Sequence, residues 1–178
     1  MRESVSGHET EFFAYETLTW PEVAALPRDC PLVVPLGDGY DRERLAQALG
    51  RPPRIGLLPA LPFGWRGSGL AVAEPLLGAL VANLLDSLRE DGFSRVYALT
   101  PPELHLDLGA ARLVQRTPAF DAAVPARPVD DDREKVILIP IGHTEQHGHH
   151  LPLSTDTEII GAIARATVQR VPDEAATL

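Results

Sequence analysis

The chain has 178 residues, of which 44% are hydrophobic and 23% charged, a composition typical of a soluble globular protein of about one domain with an extension. No cluster of Lys or Arg offsets its formal net charge of −9, which disfavours nucleic acid and anionic membranes as partners. No apolar run approaches the roughly 18–20 residues that span a bilayer, and the first residues lack a signal-peptide pattern. The single cysteine, Cys30, excludes an intrachain disulfide, so we expect a cytoplasmic protein.

The N-terminal two thirds of the chain predict strands that alternate with helices. Residues 1–16 have no sustained periodicity and are predicted to be a loose leader. After them we predict a helix over 19–26, a strand over 32–37, a helix over 41–49, a strand over 55–58, a helix over 75–88, a strand over 95–99 and a helix over 106–114. This alternation predicts an α/β layered fold with a mostly parallel sheet flanked by helices.

The pattern starts again after a Pro- and Asp-rich stretch, residues 117–133, which we interpret as a linker rather than an ordinary surface loop. Residues 136–142 repeat the apolar strand pattern of residues 31–37, and a helix follows over 157–168. We therefore predict a first α/β unit over 17–116 and, over 134–178, the first strand, loop and helix of a second unit. The loop of the second copy is the longer one, and loops carry function while the scaffold carries packing.

That long loop, residues 143–155, is chemically dense. Four of the six histidines lie within residues 143–150, close to Glu145 and Asp156. Imidazole and carboxylate together suit zinc, manganese or iron, and ligands of parallel α/β sheets bind where strands end. On composition alone, a solvated His-rich tract remains the alternative to a metal site.

The string Glu-Gln-His-Gly-x-His-Leu-Pro-x-x-Thr-Asp over residues 145–156 resembles the signature of the creatininase family of metal-dependent amidohydrolases. The resemblance implies that Glu145, His147 and Asp156 are metal ligands, with the aspartate bridging two divalent ions. Zinc is the first choice, and manganese or iron are the others. His150 would support the ligands, His143 and His149 would be exposed, and the resemblance assigns no general acid or base here.

The resemblance implies hydrolysis of a non-peptide or cyclic C–N amide bond in a small-molecule substrate, by a metal-activated water, in a homo-oligomer. The family's remaining ligands, a His and a Glu, have no match in the second copy. Either the strand and helix of the second copy complete the sheet of the first unit, or, as we expect, the second unit is truncated and belongs to a longer protein. Three ligands would leave two metals under-coordinated, so we expect weak metal binding and no hydrolysis by these residues alone.

The first unit resembles the family more weakly. The position of the metal loop is occupied in the first copy by Tyr40, Asp41 and Arg42, so we expect the first copy to bind no metal. This degenerate copy supports the alternative function, a non-catalytic scaffold or regulatory protein in which the His-rich loop is unused or only binds metal. A metal-storage role is disfavoured because glycine and proline bound the loop and make it rigid.

Overall fold

The computed structural model describes residues 9–37, 39–61, 63–65, 68, 71–101, 104–108, 113–114 and 138–170. The chain divides into two compact units. The first comprises residues 1–14 and 27–128, and the second comprises residues 15–26 and 129–178. Residues 17–26, which the sequence analysis assigns to the first unit, therefore group with the segment that carries the His-rich loop.

The first unit is built on a five-stranded, all-parallel sheet. Its strands are β1 (Glu11–Ala14), β2 (Leu32–Pro35), β3 (Arg54–Leu57), β4 (Val96–Leu99) and β5 (Leu113–Val114), in the spatial order β1-β3-β2-β4-β5. Parallel neighbours require crossover connections, and helices supply two of them. The four helices of the described chain are α1 (Trp20–Ala25), α2 (Arg42–Ala48), α3 (Glu74–Glu90) and α4 (Thr155–Val168). Helix α2 connects β2 to β3 and α3 connects β3 to β4, which confirms the predicted α/β class.

The core of the first unit lies around the central strand β2. Every residue from Pro31 to Gly37 is buried, as expected for a strand covered on both faces. Helix α2 and its C-cap residue contribute Leu45, Ala46 and Leu49 to a cluster with residues of β2, β3 and β4. Helix α3 buries a stripe of apolar residues at helical spacing, namely Leu77, Val81, Leu85 and Leu88.

The second unit, as far as it is described, is small and sparsely packed. A 3₁₀ turn (Tyr15–Thr17) leads into α1, where the Glu22 carboxylate accepts hydrogen bonds from the Thr19 N–H and hydroxyl, both at 2.7 Å. Those bonds, the backbone one foremost, lower the pKa of Glu22. Between residues 138 and 170 only Leu153 and Ser154 are buried. Helix α4 itself contains no buried residue.

Three predicted elements differ from the structure, and two of them lie in the first unit. Residues 11–14 of the predicted leader form β1, held to β3 by parallel pairing and by a hydrogen bond from the Glu11 N–H to the Pro53 carbonyl (2.9 Å). The helix predicted over 106–114 is wrong where the chain is described: residues 104–108 are not helical and residues 113–114 form β5. Periodicity alone does not separate a short apolar strand from a helix, and pairing with β4 selects the strand here.

The two copies of the repeated strand pattern lie in different environments. In the first copy the pattern forms the buried strand β2. In the second copy residues 138–142 form no strand, and Leu138, Ile139 and Ile141 are 50%, 48% and 75% exposed. Residues 136–137, the linker over 117–133, residues 1–8 of the leader and residues 171–178 lie outside the described residues. None of the helices in the described part of the chain has the length and apolar character needed to cross a bilayer.

Candidate metal centre

The structure brings together the three predicted ligands, Glu145, His147 and Asp156. Each offers one ligand atom, and the three atoms lie within 4.8 Å of one another. Glu145 and His147 lie on the loop, while Asp156 lies in the first turn of α4. The chain reverses between them at Gly148, whose φ of 76° is a conformation that glycine adopts without strain. The Gly148 N–H donates to the Gln146 side-chain oxygen at 3.0 Å, which also holds the turn.

The imidazole of His147 is oriented through both ring nitrogens. Its Nδ1 lies 3.0 Å from the backbone carbonyl oxygen of Glu145, which can only accept, so Nδ1 carries the proton. Its Nε2 lies 2.9 Å from Oδ1 of Asp156. In the neutral ring Nε2 would be an acceptor facing another acceptor, so a positive species between them is favoured: a second proton or a metal ion. Accordingly the pKa of His147 is raised, chiefly by the hydrogen bond to the Glu145 carbonyl. Desolvation opposes this increase, and the hydrogen bond and the charge of Asp156 add to it.

Asp156 is positioned by the start of α4. The positive end of the helix dipole favours a carboxylate in the first turn. Gly142, at the end of the second-copy strand pattern, packs against this turn: a Cβ at Gly142 would lie 2.7 Å from both the Cα and the backbone nitrogen of Thr157. Only glycine permits this approach, which holds the beginning of the loop close to the residue that follows Asp156.

The other histidines of the loop surround the cluster. His149 and His150 are exposed, and the His150 ring lies beside Gly148. His143 is also exposed, as predicted, but its Nδ1 is 3.7 Å from Oε2 of Glu145. Only the i, i+2 spacing of the two residues could have indicated this pair. In the first copy the Asp41 carboxylate instead caps α2, accepting from the Arg44 N–H at 3.1 Å.

Comparison with known proteins gives a family for this part of the chain. Residues 124–178 match the creatininase family, described as creatinine amidohydrolase. Residues 124–178 therefore resemble the creatininase family. The family prediction is thus confirmed for the segment that contains all three residues of the cluster.

The similar curated proteins include creatininase-type peptidases. A segment of 35 residues, 20% of this chain and 14% of the relative, is 63% identical to the mycofactocin precursor peptide peptidase of Mycobacterium ulcerans (strain Agy99). The peptidase of the same name from Mycobacterium tuberculosis (strain CDC 1551 / Oshkosh) is 58% identical over 38 residues, 21% of this chain and 15% of that protein. The chain therefore spans about a seventh of the length of these relatives.

A different similarity extends over more of the chain. The 5-methyltetrahydropteroyltriglutamate–homocysteine methyltransferase of Burkholderia thailandensis is 39% identical over 95 residues, 50% of this chain but 12% of the methyltransferase. So small a share of that enzyme carries no methyltransferase activity over to this chain. No solved structure matches the chain.

The donor set of the cluster fits a divalent transition metal. One imidazole nitrogen and two carboxylate oxygens are ligands that zinc, manganese and iron accept. The His147 ring already has its Nδ1 proton bonded to a carbonyl, the arrangement by which proteins present Nε2 to a metal. The charges also fit, since two carboxylates compensate a doubly charged ion.

Proposed function

We propose that this chain contributes the Glu145–His147–Asp156 part of a divalent-metal centre in an amidohydrolase of the creatininase type. The observation that carries the proposal is the convergence of the three ligand atoms within 4.8 Å, on the segment that matches the family. Zinc is the proposed metal because the cluster combines a neutral imidazole with carboxylates, and manganese is the second choice.

In this proposal each residue of the cluster has a separate task. His147 presents Nε2, because its other nitrogen is held by the Glu145 carbonyl at 3.0 Å. Glu145 and Asp156 supply negative charge, and Asp156 does so from the first turn of α4. A divalent ion supplies Lewis acidity, which polarises a scissile carbonyl and makes water a nucleophile near neutral pH.

The proposed reaction is hydrolysis of a C–N amide bond. The family is described as creatinine amidohydrolase, whereas the similar curated relatives are named as peptidases of a precursor peptide. We propose a small amide as the substrate, so the assay includes both a cyclic amide and a short peptide. A homo-oligomer of this chain is proposed from the same family resemblance.

The direct test is zinc binding by the purified chain, measured by competition with a chromophoric chelator. We expect one saturable zinc site whose affinity falls at least about tenfold in each of Glu145→Gln and Asp156→Asn, since each removes a ligand charge. The matched control is Glu158→Gln, because Glu158 is in the same helix turn but its carboxylate accepts from the Ser154 hydroxyl at 2.8 Å. Zinc affinity that is equal in all four proteins would refute the proposal.

Hydrolysis of creatinine and of a short peptide, each with zinc or manganese, tests the catalytic part. Turnover that requires metal and disappears in Glu145→Gln would support the amidohydrolase role and show that these ligands suffice. A chain that binds zinc specifically at the cluster and hydrolyses neither substrate is the result expected if three ligands do not suffice for catalysis. The alternative, a scaffold or regulatory protein that retains the metal loop, predicts the same result.

A further inference from the structure

The contacts that hold the metal loop in place come from the opposite end of the chain. Among residues 138–170 only Leu153 and Ser154 are buried, three and two residues before Asp156. The Leu153 N–H donates to the Leu18 carbonyl at 3.0 Å, and the Ser154 N–H donates to the Glu16 carbonyl at 2.9 Å. The best anchored point of the loop is therefore attached to residues more than a hundred positions earlier in the chain.

This attachment is a short antiparallel pairing. Thr19 and Pro152 form an antiparallel bridge, so residues 16–19 run alongside residues 152–154. We call residues 16–19 the N-terminal pairing segment. It belongs to the same compact unit as the loop, although the strands before and after it belong to the first unit.

The pairing matters at Asp156 because it ties the residues at the start of α4 to a segment outside the helix and the loop. Ser154 is the N-cap residue of α4, and its side chain makes no capping hydrogen bond. Its hydroxyl donates instead to Glu158 at 2.8 Å. Its backbone N–H donates to the Glu16 carbonyl, which lies outside the helix. The first turn of α4 is thus oriented by the pairing segment and by the close contact at Gly142.

We propose that the N-terminal pairing segment, residues 16–19, positions Asp156 for metal binding through its backbone bonds to Leu153 and Ser154. The role is one of positioning, because the segment acts through the start of α4. The inference rests on the proposed function, since it assigns a task to this segment in the metal centre. It also means that residues at the start of the degenerate first copy contribute to metal binding by the second copy.

Two substitutions at Ser154 separate the backbone bond from the side chain. Ser154→Pro removes the N–H that donates to Glu16, and the Ser154 φ of −75° is one that proline adopts. Ser154→Ala removes the hydroxyl and keeps the N–H. The difference between the two variants therefore measures the bond to the pairing segment.

We expect Ser154→Pro to bind zinc about two- to tenfold more weakly than Ser154→Ala, the change that loss of one hydrogen bond predicts. We also expect the visible spectrum of bound cobalt(II) to differ between the variants while their far-ultraviolet circular dichroism agrees. A merely structural role would alter stability and leave the cobalt spectrum unchanged. Equal zinc affinity and equal cobalt spectra would overturn the proposal.

Amide hydrogen exchange of the unsubstituted chain tests the pairing even if the proline variant does not fold. We expect the amides of Leu153 and Ser154 to exchange more slowly than those of His149 and His150. Equally fast exchange at both pairs would overturn the proposal. If the unsubstituted chain binds no zinc, the proposed function fails. If it binds zinc and the Ser154 variants agree, only the positioning role fails.

Discussion

Replacing Gly142 by alanine perturbs the proposed centre without touching a ligand. The new Cβ would lie 2.7 Å from the Cα and backbone nitrogen of Thr157, whereas ordinary contact begins at 3.4 Å. Backbone atoms have no alternative rotamer, so Gly142 and the first turn of α4 must separate by about 0.7 Å, the difference between those distances. Glu145 and His147 follow Gly142, and Asp156 precedes Thr157, so this displacement separates the two halves of the cluster.

The expected loss of zinc affinity follows from how little displacement of its ligands a metal site tolerates. Ligand distances in metal sites vary by about 0.2 Å, so a shift of about 0.7 Å must be reversed when metal binds. Restoring the close contact costs about 1–3 kcal/mol, the usual range for overpacking. The metal-free chain relaxes and avoids the overpacking. The overpacking energy therefore reduces the free energy of metal binding. We therefore expect zinc affinity to fall about 5- to 150-fold in Gly142→Ala.

The assay is chelator competition with zinc, with Gly161→Ala as the matched control. A Cβ at Gly161, in the middle of α4, meets only the end of the flexible Arg165 side chain at 3.4 Å. We expect this control to bind zinc like the unsubstituted chain. If Gly142→Ala also binds zinc with unchanged affinity, the close approach to Thr157 does not hold the two halves of the centre together, and the reasoning is refuted.

Four further predictions concern the cluster, α4 and the core of the first unit. Asp156→Asn should lower the raised pKa of His147, which NMR titration of the metal-free ring measures; an unchanged pKa would contradict the pairing. Since zinc needs Nε2 unprotonated, its affinity should fall as the pH drops through that raised pKa, and a pH-independent affinity would contradict the ligand role. Gly161→Ala should stabilise α4 by about 0.5–1 kcal/mol in thermal unfolding, and no gain would argue against an exposed helix there. Leu45→Ala should cost about 2–5 kcal/mol in denaturant unfolding, against less than about 1 kcal/mol for Leu80→Ala on the exposed face of α3.

The site was more predictable than the fold around it. Glu145, His147 and Asp156 lie within one continuous segment, and Gly148 and the helix start set the geometry between them locally. Local chemistry of this kind is visible in a sequence. The residues that bind this segment cannot be recognised in the same way. Leu18 and Glu16 bind it through their backbone carbonyls, which every residue type possesses, and they are separated from it by most of the chain length.

The elements of the first unit were predictable where periodicity and burial agree. The helix α3 has an unbroken apolar stripe, and β2 is an apolar run closed by glycine. Strand β1 and strand β5 were missed because only their pairing with β3 and β4 makes them strands. The second-copy pattern over 138–142 shows the converse, since this apolar run pairs with no strand in the described part of the chain and its large side chains are exposed.

The central claim is that a divalent metal binds between Glu145, His147 and Asp156. Anomalous X-ray scattering at the zinc absorption edge, from crystals of the chain grown with zinc, tests it most directly. We predict a peak within about 2.0–2.2 Å of His147 Nε2 and of a carboxylate oxygen from both acidic residues. A fully zinc-loaded crystal whose peaks lie elsewhere, with His147 still bonded directly to Asp156, would contradict the account.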